Sequence, residues 1–376
     1  MQSDNLSRRK DIAKAKICIH GDASTVHLMR WSRALKCLGY NVTVISYRKA
    51  EIPDVEIHDI SCSELRGSSK FEGMIRILRG IKMFCRLRQA LARIKPDIVH
   101  VHYLMNTPLV LGFWGIRNLV VSPWGNDIIY DRGREPLVVS IYKKLLLRWA
   151  KEITATTSFL ASHVERYANR SPEVIAFGVE TEIFRRRKSV KQKCVVISFI
   201  KHLKEKYGPR FLLQAVPLML DKTENIIVNI VGTGPQEKYL RELTKQLRIQ
   251  RYVKFLGGIP HERVVEVLEE TDIFVMPSIY ESEVFGVAAI EASAMEVPVI
   301  ASDLGGIREA VVDGVTGILT PPGDERAIAD ACLSLIIDQS LRRKMGKRGR
   351  KFVTSRYEWS QCVERMIAVY RRVLEK

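Results

Sequence analysis

Cysteine is sparse and unpaired in this chain. The seven residues at 18, 37, 62, 85, 194, 332 and 362 are odd in number, and no two form a C-x-x-C pair. This speaks against a disulfide frame or a cysteine zinc site and fits reduced thiols in a cytosol, so neither disulfide nor metal is expected. Long apolar runs are also missing. The best candidate, "TPLVLGFWGIRNLVV", is interrupted by Arg117 and Asn118 after roughly ten residues, too few to span a bilayer. The basic start, "MQSDNLSRRKDIAKAKICIH", runs into a strand-like stretch without an apolar signal core, so export is not expected and a cytoplasmic location is.

What is present is enough apolar sequence for two cores: 46% hydrophobic residues over 376 positions. The net charge of +18 is uneven, with 28 Lys and Arg against 18 Asp and Glu in residues 1–184, six cations and no acid in 185–193, and 26 against 24 in 194–376. A positive first half attracts polyanions such as nucleic acid, an anionic leaflet or phosphorylated lipid. No basic strand studded with aromatics accompanies it, so no nucleic-acid partner is expected.

Strand-like runs alternate with amphipathic ones: "AKICIH", "NVTVIS", "DIVHVH" and "NLVVS", then, after the charged run "RRRKSVKQK", "CVVISFI", "NIIVNIVG", "YVKFLGG", "DIFVMPS", "VPVIAS" and "GILT". Such βαβ order predicts α/β architecture with parallel, doubly wound sheets. The expected organisation is an N-terminal Rossmann-like domain over 1–184, a basic linker over 185–193, a C-terminal Rossmann-like domain over 194–355, and a helix over 356–376 packing back toward the first domain. Ligands of such folds bind outside the carboxyl ends of the strands.

The sharpest string is "DIFVMPSIYESEVFGVAAIEASAMEVPVIASDLGGIREAVVDGVTGILTPPGD" (272–324). A helix starting near Phe285 turns the free amides of Gly286 and Val287 outward, where its dipole favours a phosphate and glycine permits close approach. Glu283 precedes that helix and Glu291 lies two turns along it, so the two acids can reach different parts of one elongated ligand. Both stand among apolar neighbours, where carboxylates need partners.

Pro277-Ser278, Glu283, Phe285-Gly286, Glu291, Pro298, Gly305-Gly306 and Glu309 occur in an order that resembles the donor-binding signature of family 4 of the retaining glycosyltransferases. These have the GT-B fold, two facing Rossmann-like domains with a crevice between them. The resemblance implies that Glu283 contacts the hydroxyls of the transferred sugar and Glu291 accepts hydrogen bonds from the nucleotide ribose. It implies no metal or cofactor, only a nucleotide-diphosphate sugar as co-substrate. Glu296 stands where the family usually has glycine, which predicts a small shift of the helix-to-strand connection.

A second block, "VVISFIKHLKEKYGPRFLLQA" (195–215), replaces the family's Gly-Arg-Leu with Lys201-His202-Leu203, and Lys206-Tyr207-Gly208 carries one extra residue before its glycine. The resemblance implies diphosphate contacts for Lys206 and Lys201, with His202 at the arginine position. Gly232 and Gly234 are counted with the donor site through their order in the match. A cation at a strand's carboxyl end suits the charge on a leaving diphosphate.

The first half matches more loosely. Gly21-Asp22 stands where relatives have a Gly-Gly loop facing the donor. In "VVSPWGNDIIY" Trp124 replaces the histidine found near the transferred sugar, while Gly125 and Asp127 remain. Asp127, Trp124 and His102 are candidates for acceptor or sugar contact, with an N-cap as the other reading of Asp127. His100 and His102 share a strand face, and packed or hydrogen-bonded histidines are the expectation over a metal pair. Residues 66–95 read as a helix with Arg76, Arg79, Lys82, Arg86 and Arg93 on one face and Phe71, Met74, Leu78 and Ile81 on another. That suits either an anionic membrane surface, giving peripheral attachment at the inner face of the cell membrane, or an ordinary Rossmann helix with a solvated basic side.

The resemblance therefore implies a retaining hexosyltransferase that moves a sugar from a nucleotide-diphosphate donor to a glycan or lipid-linked acceptor in cell-surface polysaccharide or glycoconjugate synthesis. A sugar-nucleotide epimerase of the same fold and a non-catalytic donor-binding subunit are the alternatives.

Overall fold

A computed structural model describes residues 15–62, 72–104, 111–131, 135–187 and 194–375. Linker positions 188–193 and Phe71 lie outside these, as do the side chains of Met74 and Arg76. The chain divides into two units: residues 1–175 with 363–376, and residues 176–362. Residues 176–184 thus group with the second unit.

In the first unit the order is β1 (Lys16–Gly21), α1 (Val26–Cys37), β2 (Asn41–Ser46), β3 (Glu56–Asp59), α2 (Glu72–Ile94), β4 (Ile98–His102), β5 (Leu119–Ser122), α3 (Leu137–Trp149), β6 (Glu152–Ala155), α4 (Ser158–Ala168) and β7 (Glu173–Val174). The sheet order is β3-β2-β1-β4-β5-β6-β7, with every pairing parallel. Central strands have both faces covered and read as continuous apolar runs; β4 is buried at all five positions. Local chemistry sets the helix ends. Thr25 caps α1 by accepting from the Leu28 amide, Gly39 follows it with φ of 87°, and Thr157 caps α4.

The second unit repeats the plan: β8 (Val195–Ile200), α5 (Pro209–Leu220), β9 (Ile226–Val231), α6 (Glu237–Gln246), β10 (Val253–Gly257), α7 (Val264–Glu269), β11 (Ile273–Met276), α8 (Val287–Ala294), β12 (Val299–Ser302), α9 (Ile307–Ala310), β13 (Gly317–Thr320), α10 (Glu325–Ile337) and α11 (Gln339–Arg356). Its parallel sheet runs β10-β9-β8-β11-β12-β13. A core built on Ile197, Phe199, Leu212, Val216, Ile230 and Val275 lies between sheet and helices. The last helix, α12 (Trp359–Glu375), carries residues 363–375 of the first unit, where Tyr370 is fully buried and Lys151 Nζ donates to the Val373 carbonyl at 2.6 Å.

In both sheets the winding direction reverses at one place, between β1 and β4 and between β8 and β11. Strand exits diverge there, which opens room for a ligand. Gly21 and His102 mark the first exit pair; Lys201 and Pro277 follow the second.

Glu296 occupies the left-handed region at φ of 59°, a conformation that L-residues avoid. The turn is held from α11: a Cβ on Gly346 would meet the Glu296 carbonyl oxygen at 2.0 Å. Gly346→Ala is therefore expected to lower the unfolding free energy by roughly 1–3 kcal/mol. Glu296→Gly is expected to stay within about 1 kcal/mol of the parent, because relief of strain is offset by a freer unfolded chain. Urea denaturation midpoints of the two variants check both.

Candidate functional site

The second unit gathers most of the residues singled out from the sequence. β8 ends at Ile200 and delivers Lys201, whose Nζ lies 2.8 Å from Glu283 Oε1. Glu283 sits on the turn before α8 and is 8% exposed. Burial by itself lowers the Lys201 pKa, but the charge of Glu283, then Tyr207, the Glu283 hydrogen bond and Glu291 outweigh it, so the ammonium is held above its ordinary value. Tyr207 separates the two lysines, its ring centroid 5.0 Å from Lys201 Nζ and 4.9 Å from Lys206 Nζ. Lys206 Nζ also lies 3.4 Å from Ser282 Oγ. The extra residue between Lys206 and Gly208 is thus the aromatic wedge of the pair, and Gly208, at φ of 63°, turns the chain into α5.

α8 begins after Gly286, which takes φ of 72°, and no side chain caps it. Its first amides therefore donate to no capping side chain. The Phe285 ring is buried edge-on against Tyr357 at 5.2 Å, so at that position only the backbone is open to a ligand. Gly306 supports it from below: a Cβ there would meet the Val284 carbonyl oxygen at 1.7 Å. Glu291, on α8 and 4% exposed, has Oε1 2.8 Å from His261 Nε2. His261 stands in the turn before α7, thirty residues from its partner in sequence, and no spacing rule would have pointed to it.

Other expected donor residues lie at the neighbouring strand exits. His202 is exposed and its Nδ1 lies 2.9 Å from the Thr233 carbonyl. Gly232 and Gly234 allow strand exits to approach, since a Cβ would meet the Lys201 oxygen at 2.0 Å and the Leu203 oxygen at 2.5 Å.

In the first unit, Gly21 packs beneath Leu28 and beside His102, and Asp22 accepts from the Ser24 amide at 3.0 Å while lying 3.3 Å from Arg48 Nε. Asp127 is turned inward, 1% exposed, accepting from the amides of Leu104, Trp124 and Gly125 at 3.0, 3.0 and 2.7 Å. Burial raises its pKa against those hydrogen bonds. Its oxygens organise the loop after β5, and no helix begins there for it to cap, which corrects the N-cap reading. Trp124 is half-buried, its ring 5.2 Å from His102, 5.8 Å from His27 and 6.1 Å from Tyr103.

His100 and His102 are core residues linked by hydrogen bonds. His100 lies 2.7 Å from the Tyr370 hydroxyl and 2.6 Å from Ser122 Oγ, and His102 Nε2 lies 3.2 Å from His100 Nδ1. Burial pushes His102 down to about 3 and His20 to about 4, so both are neutral near pH 7.

The family comparisons agree with this arrangement. Residues 180–352 match the model for "Glycosyl transferases group 1", and residues 16–157 match "Glycosyl transferase 4-like". The chain is 29% identical over 304 residues to a D-inositol 3-phosphate glycosyltransferase of Corynebacterium urealyticum, covering 73% of this chain and 71% of that one. Its fold is similar to a sucrose-phosphate synthase of Thermosynechococcus elongatus (TM-score 0.81, 18% identity, 96% and 100% covered). It is also similar to Anabaena HepE in complex with UDP-glucose (TM-score 0.78, 16% identity, 94% and 98% covered). The fold is of the GT-B glycosyltransferase type. The chain belongs to the group 1, or family 4, glycosyltransferases and is an enzyme that transfers a sugar to an acceptor. The epimerase and silent-subunit alternatives are not favoured.

Two stability measurements probe these clusters. Lys201→Ala leaves a buried carboxylate without its cation and is expected to cost roughly 1–3 kcal/mol, with part of the loss recovered in the double variant with Glu283→Ala, in a urea double-mutant cycle. In the first unit, His20 has a depressed folded pKa and neither ring nitrogen hydrogen-bonded. Its contribution is complete above the unfolded value near 6.5 and is lost as pH falls toward about 4, because the unfolded chain binds the proton first. His20→Phe is expected to flatten the fall in melting temperature over that window.

Proposed function

We propose that this enzyme transfers a hexosyl group from a nucleotide-diphosphate sugar to a hydroxyl of a glycan or lipid-linked acceptor, with retention at the anomeric carbon, in cell-surface polysaccharide or glycoconjugate synthesis. The reading is carried by one observation: the Lys201–Glu283 ion pair at 2.8 Å stands on the turn that opens α8, whose uncapped amino end also leads to Glu291. The names of the relatives support it, since one acts on an inositol phosphate and a protein of similar fold holds UDP-glucose.

In this reading the diphosphate meets the amino end of α8, with the amides of Gly286 and Val287 and the ammonium groups of Lys206 and Lys201 supplying positive charge as the sugar–phosphate bond breaks. Protein cations do this neutralisation, so the reading calls for no metal ion. Lys201 holds Glu283 in place, and Glu283 accepts hydrogen bonds from hydroxyls of the transferred sugar. The acceptor oxygen bonds to the anomeric carbon on the face the phosphate leaves, and its proton passes to a leaving phosphate oxygen. Glu291 accepts from the ribose hydroxyls at the far end of the donor, held in place by His261, which acts as a positioning residue. Trp124 replaces the histidine that the family has near the sugar, so no proton transfer is assigned there. A lipid-linked acceptor would bring the enzyme to an anionic membrane face. The basic helix within 66–95 fits this in its amino half, where Ile77, Leu78 and Ile81 are exposed on α2, while its carboxyl half buries Leu87, Ala90 and Leu91 as a packed Rossmann helix does.

Melting the protein against a panel of nucleotide-diphosphate sugars should reveal a donor that raises the transition temperature. With that donor, Glu283→Ala and Lys206→Ala should each lower kcat/KM by roughly 10²–10³-fold, and proton NMR should find the donor's anomeric configuration in the product. Turnover unaffected by either substitution would overturn the reading. His261→Ala should raise the donor KM more than it lowers kcat, with partial rescue by His261→Gln.

A further inference from the structure

We propose that α3 carries a docking face for the surface of an anionic lipid bilayer. The inference rests on the peripheral-membrane reading above and assigns it to an element that reading did not include. Leu137, Val138, Ile141, Leu145 and Trp149 are between 41% and 75% exposed, on a helix whose other side buries Lys143, Leu146 and Leu147. At 100° per residue the exposed positions fill an arc of about 140°. Lys144 and Arg148 lie within the arc, and α3 contains no acidic residue.

The face extends beyond the helix. Trp114, 58% exposed, stacks on Trp149 with centroids 4.7 Å apart and planes 21° apart, and Trp149 Nε1 donates to the Ile116 carbonyl at 3.0 Å. Arg88 Nη1 donates to the Gly112 and Trp114 carbonyls at 3.2 Å, and exposed Arg117 follows the same turn. Indoles with an apolar body and a polar edge favour the headgroup boundary, and cations set among apolar side chains suit anionic headgroups. A monomer seldom leaves so continuous an apolar stripe in water. A second copy fits poorly as the occupant: an isologous contact would set Lys144 and Arg148 against their own counterparts with no acid between.

The test is flotation of the full chain with vesicles of phosphatidylcholine alone or mixed with phosphatidylglycerol, at low and high salt and without any sugar donor. The parent protein should float only with the mixed vesicles, and salt should release it. Leu137→Ser/Ile141→Ser/Leu145→Ser should lower partition at least about tenfold. Lys144→Gln/Arg148→Gln should lower it several-fold and weaken its salt dependence. Both variants should keep the parent's melting temperature in the absence of vesicles, which controls for folding. The proposal is overturned if the parent does not float, if it floats equally on neutral vesicles, or if the triple variant floats like the parent. Loss of flotation with Arg79→Gln/Lys82→Gln while both α3 variants float like the parent, or a parent dimer that the triple variant turns into monomer, also overturns it. Because no turnover is measured, failure here leaves the transferase reading intact, and an inactive enzyme that still floats leaves this one intact.

Discussion

The arrangement of each unit follows from one constraint: parallel strands must all return by crossovers, so their carboxyl ends collect along a single edge. Whatever follows a strand is placed on that edge. In the second unit β8 contributes Lys201, β9 is followed by Gly232, and β11 leads to the turn that bears Glu283. Residues 82 apart in sequence are thereby 2.8 Å apart in space. The ion pair is affordable in a half-buried setting because each partner supplies the charge the other needs, and further polar groups, Tyr207 and Ser282, surround the two lysines.

Glycine serves this edge in two ways. At Gly286 the backbone takes a left-handed conformation that starts α8, and at Gly306 a neighbouring carbonyl comes too close for any side chain. Glu296 makes the contrast: the same backbone conformation is kept without glycine because the packing of Gly346 against its carbonyl over-determines the turn. The two units also differ in chemistry. The edge of the second is charged, with Lys201 paired to Glu283, Lys206 beside Ser282 and Glu291 against His261. That of the first carries the Asp22–Arg48 pair and is otherwise aromatic, with His20 and His102 stripped of charge by burial and Asp127 bound by loop amides.

Much of this was legible beforehand. The strands from β8 to β13 fall within one or two residues of their apolar runs, because fully buried parallel strands need nearly every position apolar. β3, "EIHD", was not foreseen: an edge strand that is half exposed carries charges and lacks alternation. Glu283, Glu291 and Lys206 could be singled out because they belong to a local motif. His261 was not, since its contact with Glu291 exists only once two separate turns are folded together. The stripe on α3 was hidden for the opposite reason: an apolar run looks alike whether it faces a core or water.

By itself, then, the sequence determined the periodicities, the helix caps and the order of a donor-binding motif, all of which depend on residues near one another in the chain. Only the tertiary structure decided which charges pair, that Asp127 turns inward, and which apolar residues stay uncovered. Those outcomes depend on distances and solvent access between segments, and burial alone changes what a carboxylate, an imidazole or a leucine can do.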